Sequence, residues 1–278
     1  MDSPANLHPL SAEPLRFIAR GASAELFDMG GGQALKLFRD SVSDEMIARE
    51  ADASVYAGVC GVPTAAAIGQ RIWDGRRGII YPRLEGATLM DWIRRNPMRA
   101  GWTLDRMGEI HAAMHRAGGG TLRSLKQVLA TDIAYGPAPD TLQRAAIAYL
   151  ETLPDANALT HGDFHLGNVM MTPQGIMVID WSKAAAGHPA ADAVRSEMLM
   201  RFGIGPSDWV TNLWRDWAAR RLRKSHAAAS GVNACDIDAW RPAVALAWLR
   251  ARDAAGRTPM LMRYLDRALR KNEIGSIA

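Results

Sequence analysis

At 278 residues the chain can bury a substantial core, as one two-lobed unit or two small domains. A hydrophobic content of 48%, 22% charged residues and a net charge of +4 describe an ordinary soluble globular protein, and that mild charge gives no reason to expect a nucleic-acid partner. No apolar run approaches the roughly 20 residues that span a bilayer, the first nine residues lack the parts of an export signal, and Cys60 and Cys235, far apart, suit free thiols in a reducing cytoplasm.

Residues 1–10 read as a flexible tail. Residues 15–18, 24–29 and 33–38 then read as three short strands, the last two joined by Gly30-Gly31-Gly32. In the third, Ala34, Lys36 and Phe38 share a face by the two-residue period of a strand. A lysine between apolar neighbours needs an anionic partner, because burying it alone costs several kcal/mol. Residues 44–57 supply one. They read as a helix with Ser43 as N-cap and Asp44 and Glu45 in its first turn. Its expected inner stripe is Met46, Ile47, Ala51, Ser54 and Val55, and Glu50 falls inside that stripe at helical spacing. A pair between Lys36 and Glu50 resolves both burials.

Two more strands, 64–73 and 77–84, flank the hairpin signal Asp74-Gly75. They complete a five-stranded antiparallel sheet. From Thr88 onward the pattern is mostly helical, with helices expected at 88–95, 102–116 and 139–153. His111 and His115 lie near the apolar stripe of the second and are expected as packing histidines; no His/Cys spacing suggests a zinc site.

The densest stretch is His161-Gly162-Asp163-Phe164-His165-Leu166-Gly167-Asn168, which runs into an apolar segment. A second apolar segment, 176–181, follows the turn composition Thr172-Pro173-Gln174-Gly175. A hairpin on that turn sets Met171 against Ile176, Asn168 against Ile179 and Asp180 against Gly167. Cross-strand neighbours are roughly 5 Å apart, so Asn168 and Asp180 are expected together. An amide oxygen and a carboxylate suit a hard cation such as Mg²⁺ that keeps other positions for phosphate. Asp163, on the loop upstream, is placed to accept a proton from an attacking hydroxyl. These parts make up the working end of a phosphoryl-transfer site.

The motif H-G-D-x-x-x-x-N followed by I-D-W resembles the catalytic and metal-binding segments of the aminoglycoside phosphotransferase and choline kinase-like family, a small-molecule branch of the protein-kinase fold. The resemblance implies an α+β, two-lobed fold: a small N-lobe of five antiparallel strands and one helix with its linker (11–86), and a mostly helical C-lobe (87–278). The catalytic segment is then 160–181, and the helices from about 196 to 278 close the acceptor pocket. It implies Asp163 as catalytic base, Asn168 and Asp180 as Mg²⁺ ligands, and Lys36, oriented by Glu50, on the phosphates of ATP or GTP. His161 and Asp192 would support the catalytic loop. The turn holding Gly21 and Ser23 would cover the phosphates, although the G-x-G-x-x-G pattern of protein kinases is absent, and the linker with Arg83 and Glu85 would bind the purine through its backbone. Trp-Ser follows Asp180 where protein kinases carry Phe-Gly, and no long activation segment is evident, so control by loop phosphorylation is not expected. Lys183 reads as a solvated loop lysine.

After a helix at 189–202, three helices are expected at the C-terminal end. Ser207 caps the first, with Val210, Leu213, Trp214 and Trp217 inward; the second spans 239–253, and Thr258-Pro259 opens the third. Helical spacing assigns the tryptophans to core packing rather than to a cage for a quaternary ammonium. Over 201–278, fourteen Lys and Arg stand against seven Asp and Glu, which disfavours a polycationic acceptor and favours a neutral or anionic alcohol. The expectation is a cytoplasmic kinase acting on a small-molecule alcohol, with an antibiotic such as an aminoglycoside among the candidate acceptors, and with no nucleic acid, membrane or obligate protein partner. A pseudokinase or scaffold, and a kinase acting on protein, are the alternatives.

Overall fold

The computed structural model describes residues 15–206, 208–250 and 258–276; the N-terminal tail, Ser207 and the end expected for the second C-terminal helix lie outside them. Five strands, β1 (Arg16–Arg20), β2 (Ala24–Gly30), β3 (Gln33–Phe38), β4 (Gly69–Trp73) and β5 (Arg76–Pro82), form one antiparallel sheet in the order β1-β2-β3-β5-β4. Asp74 and Gly75 both have positive φ (49° and 72°), the backbone that a two-residue hairpin with a primed turn requires. The fourth strand is shorter than the pattern suggested, because residues 65–68 run without strand pairing and Thr64 instead bridges to Val178.

Helix α1 (Asp44–Val59) begins as expected, with the Ser43 side chain accepting from the Met46 amide, a cap contributing about 1 kcal/mol. Its inner face differs by a fraction of a turn. Ile47, Glu50, Ala51, Ala53, Ser54 and Ala57 are buried, whereas Met46 and Val55 are exposed. The face turned inward is the one that brings Glu50 over the sheet, packing Ile47 and Ala51 on Ala24, Phe38 and Ile79.

After the linker, β6 (Ala87–Thr88) starts a second, three-stranded sheet with β8 (Val169–Thr172) and β9 (Gly175–Val178) in the order β6-β8-β9. Gly86 makes that junction possible: its φ is 138°, and a Cβ there would lie 2.0 Å from the Met171 carbonyl oxygen. Helices α2 (Leu89–Arg95) and α3 (Ala100–Met114) follow, α2 capped by Thr88. Next come α4 (Leu125–Ala134), which had no strong sequence signal of its own, and α5 (Asp140–Thr152). Strand β7 (Ala158–Thr160) leads into the segment expected to be catalytic and pairs with β10 (Ala185–Gly187) beyond it, so the segment is closed at its base by a two-stranded ladder.

The remaining helices are α6 (Pro189–Phe202), α7 (Trp209–Ser230), α8 (Ala234–Trp248) and α9 (Thr258–Lys271). Two cores divide this helical part. One gathers α2, α3, α7 and the catalytic segment; the other gathers α4, α5, α6, α8 and α9. On α7 the expected inner stripe is corrected. Asp208 is the N-cap, and Val210 (54% exposed) and Leu213 (61%) face outward, with Trp214 and Trp217 only partly covered. The helix buries Ala218, Ala219, Leu222 and His226 instead, because its later turns pack along α3, where Arg221 and Ser225 bind Asp105. Helix α8 starts earlier than predicted, at a capping box between Asn233 and Asp236.

Candidate active site

The hairpin β8–β9 has the register that the turn composition demanded: Met171 pairs with Ile176 and Thr172 with Gly175. Continuing it, the Ile179 amide donates to the Asn168 carbonyl at 3.0 Å, which puts Asp180 level with Gly167. The hairpin is strapped to the residues that precede β4. Val178 N–H donates to Pro63 O at 2.7 Å, Thr64 Oγ1 donates to Val178 O at 2.7 Å, and Trp181 Nε1 donates to Thr64 Oγ1 at 2.9 Å.

Asp180 has a left-handed backbone (φ 64°), a costly state for a non-glycine residue outside such a site. Its carboxylate meets the sheet lysine: Lys36 Nζ lies 2.6 Å from Glu50 Oε1 and 3.3 Å from Asp180 Oδ1. Tyr81, on the neighbouring strand, donates to Glu50 Oε1 at 3.0 Å. Neither Tyr81 nor the Lys36–Asp180 contact was foreseen. Strand parity could have found Tyr81, since Lys36 pairs with Ile79 and Tyr81 lies two residues on along the same face. Glu45 takes no part and faces Arg49 on the helix surface. Burial lowers the Lys36 pKa, but the Asp180 and Glu50 carboxylates outweigh it and the net shift is upward, so the ammonium is retained. Burial raises Asp180, and Lys36, the Ser182 side chain and His161 overcome that, leaving its carboxyl below the ordinary value. Glu50 ends above its ordinary value: burial dominates, and Asp180 adds to it against Lys36.

Asp163 is half-buried at the head of the loop. Asn168 Nδ2 donates to both its carbonyl (3.0 Å) and its Oδ2 (3.2 Å), fixing the carboxylate. With Nδ2 so engaged, Asn168 Oδ1 and Asp180 Oδ2 have no hydrogen-bond donor among the described residues. Two spare oxygens, one amide and one carboxylate, form a donor set that fits a hard divalent cation.

The loop itself is held from behind. Asp192, 1% exposed, accepts from the amides of His161 and Gly162 at 2.8 Å each, and its Oδ2 also takes His111 Nε2 and His115 Nε2 at 3.0 Å. His115 Nδ1 meets His226 Nε2 at 3.0 Å. A proton on each Nε2 accounts for all three contacts, and His226 Nδ1 is left buried without a partner among the described residues. Burial lowers His111 to about 4 and His226 to about 2, and burial likewise lowers His161. Against its own burial, the histidine hydrogen bonds hold Asp192 well below the carboxylate range. The ligand atoms of His111, His115 and Asp192 lie within 4.8 Å of one another, as in a metal site, but their 3.0 Å N···O separations are hydrogen bonds that already fill the carboxylate. His161 completes the loop: its Nε2 meets Ile179 O at 3.1 Å and its Nδ1 accepts the Asp163 amide at 3.2 Å. Gly162 is required because its φ is 74° and a Cβ would lie 2.5 Å from Lys183 O.

The other predicted residues fall outside this cluster. Gly21 N–H closes a tight turn on Ala24 O at 2.8 Å, and Ser23 O accepts from Arg39, so Gly21 and Ser23 form an exposed turn at the sheet edge. Arg83 is turned away by charge: its Nη1 donates to Asp28 Oδ2 at 2.8 Å and its amide to Gly32 O, so its side chain ties the linker to β2. Glu85 and Lys183 are exposed.

The sequence model of the phosphotransferase enzyme family matches residues 14–246. The chain belongs to that family. It is therefore a phosphotransferase, and its two-lobed architecture is shared with solved members of low sequence identity. A thermostable mutant of aminoglycoside phosphotransferase APH(4)-Ia, in a ternary complex with AMP-PNP and hygromycin B, is 17% identical, with 94% of each chain covered and a TM-score of 0.63. An amicoumacin kinase in complex with AMP-PNP, Ca²⁺ and Ami is 16% identical, covering 96% of this chain and 91% of that one, with a TM-score of 0.59. A choline/ethanolamine kinase family protein from Mesorhizobium loti is 15% identical, covering 94% and 87%, with a TM-score of 0.57. No curated protein matches this phosphotransferase in sequence. Among its described residues no helix is long and apolar enough to cross a membrane.

Proposed function

We propose that this phosphotransferase moves the γ-phosphoryl group of ATP to a hydroxyl of a small-molecule acceptor. The observation that carries the reading is the convergence of Lys36, Glu50 and Asp180 beside Asp163, on a loop clamped by Asp192. Lys36, held by Glu50, presents its ammonium to the nucleotide phosphates. The acceptor oxygen forms a bond to the γ-phosphorus while the bond to the β–γ bridging oxygen breaks, and ADP leaves with that electron pair. The hydroxyl proton passes to Asp163, a contribution of roughly 10²–10⁴-fold. Asn168 and Asp180 would hold Mg²⁺, which supplies neutralisation of phosphate charge. The linker backbone around Leu84 and Glu85 would meet the purine, and the turn at Gly21 and Ser23 would lie over the phosphates.

Two comparisons support ATP as donor, since the APH(4)-Ia and amicoumacin kinase complexes both contain AMP-PNP. Two free cysteines agree with a reducing cytoplasm as the working compartment. A pseudokinase would be expected to lack the base, the lysine or a metal ligand, and all are present. The test is ADP release from Mg·ATP across a panel of alcohols. Acceptor-dependent turnover that disappears in Asp163→Ala, with nucleotide binding retained, supports the reading; equal turnover in that variant refutes it.

A further inference from the structure

Helix α6 carries a cation that the chemistry above leaves unused. Arg195 lies three residues beyond Asp192, about 4.5 Å further along the helix, and so next to the carboxylate that fixes the amides of His161 and Gly162. Its guanidinium carbon is 4.5 Å from the ring centre of Trp248 on α8, a ring only 6% exposed. Its Nε is closed off from solvent without a partner, and among the described residues the side chain makes no hydrogen bond or ion pair.

The surrounding acids are each engaged elsewhere. Burial lowers the Arg195 pKa, and the charges of Asp163, Asp132 and Asp192, in that order, oppose the shift, so the guanidinium stands within the field of the catalytic carboxylate. Asp192 is filled by two histidines and two amides, Asp132 accepts from Arg250 at 2.7 Å, and Asp163 is held by Asn168.

The Nε of Arg195 is buried without an acceptor, which is unfavourable, while the rest of the side chain stays partly exposed, so its fork has donors left for a ligand. Stacking on an indole restores only part of that loss, but it fixes the plane of the fork, and a fixed fork suits a carboxylate or phosphate in two-pronged fashion. The position adds the second half of the argument. Lys36 and Asp180 are joined to the N-terminal sheet, whereas Arg195, Trp248 and Asp132 come from α6, α8 and α4 of the helical core. Arg195 thus stands on the helical side of Asp163. We infer that Arg195 binds an anionic group of the acceptor, so that the substrate is an alcohol bearing a carboxylate or phosphate and not a polycation. This rests on the kinase reading and specifies its acceptor. The basic excess over residues 201–278 has the same sign, and a polycation there would meet a positive charge close to the reacting hydroxyl.

The test uses the full chain with Mg·ATP. Its panel pairs hydroxycarboxylates and sugar phosphates with the matching hydroxyamides and unphosphorylated sugars, and adds aminoglycosides; the two anionic arms separate a carboxylate from a phosphate. Wild type is expected to turn over members of one anionic arm at least roughly tenfold more efficiently than their neutral counterparts. Arg195→Met is expected to raise KM for those anions by roughly 10–100-fold, with kcat and the KM for ATP little changed, and Arg195→Lys to recover part of the loss. Turnover confined to neutral or cationic alcohols overturns the inference, as does an equal KM change for charged and uncharged acceptors. A fall in kcat alone also overturns it, by assigning Arg195 to the transferring phosphoryl group. Calorimetry of the same anions without nucleotide keeps the two readings apart. Should no acceptor release ADP, the kinase reading fails, while Arg195-dependent anion binding, or its absence, still decides this one.

Discussion

Two clusters of buried charge flank the loop that carries Asp163 and handle that charge in opposite ways. On one side, Glu50 and Asp180 share a single Lys36, leaving a formal charge of −1 and a spare oxygen on a side chain that keeps 34% exposure. On the other, one carboxylate, Asp192, is enclosed by two imidazoles and two backbone amides with nothing left over. The open cluster is short of cations, which suits the metal and nucleotide proposed for it. The Asp192 carboxylate is already satisfied, and its work is mechanical: it fixes two consecutive peptide groups immediately before Asp163. Deficit marks the binding side and completeness marks the brace.

The sharpest break is at the loop between them. Asp163→Asn should lower turnover by roughly 10²–10⁴-fold while Mg·ATP binding, read by calorimetry, stays near wild type; loss of both would mean that Asp163 shapes the site rather than accepting the proton. Next in size, Asp192→Asn turns one acceptor into a donor facing donors. It should cost about 3 kcal/mol of stability, measured by urea unfolding, and an unchanged midpoint would deny the brace. On the open side, Asp180→Asn should weaken Mg²⁺-dependent nucleotide binding by roughly tenfold or more, about 1.4 kcal/mol, with stability nearly unaffected. If stability fell as far as in Asp192→Asn, the contrast between the clusters would be lost.

Acid should sharpen the comparison more gently. His111 and His226 are neutral in the fold, lowered to about 4 and about 2, but titrate near 6.5 when unfolded. The unfolded chain therefore binds more protons, and stability should decline as pH falls below 6.5, with the His111 contribution continuing toward pH 4. Asp192, also lowered, adds a further loss in the same direction below the ordinary carboxylate range. Unfolding midpoints that are flat between pH 7.5 and 5 would contradict a neutral histidine cluster. Smallest of all, Val210→Ser on the exposed start of α7 should change stability by no more than about 0.5 kcal/mol, since that side chain is 54% exposed.

Local chemistry was legible where it repeats at short range. The hairpin register followed from a four-residue turn, the Lys36–Glu50 pair from two periodicities and one charge argument, and the Ser43 cap from a side chain beside an apolar stripe. What depends on a partner element was not. Helix α7 shows an apolar stripe at Val210 and Leu213, yet it turns a different face to α3, because contact across residues more than a hundred apart outweighs a helix's own pattern. Arg83 looked available for the nucleotide until Asp28, from a strand fifty-five residues earlier, claimed it.

The sequence alone thus determined the local geometry of the proposed site: Asp163, Asn168 and Asp180 lie within eighteen positions, where a turn and a two-residue period leave few geometries. Tertiary structure alone decided their surroundings. His226 behind Asp192, Thr64 beneath Trp181 and Trp248 under Arg195 all arrive from distant segments. Such contacts are chosen by the packing of whole elements, and no local periodicity encodes which distant side chain will meet them.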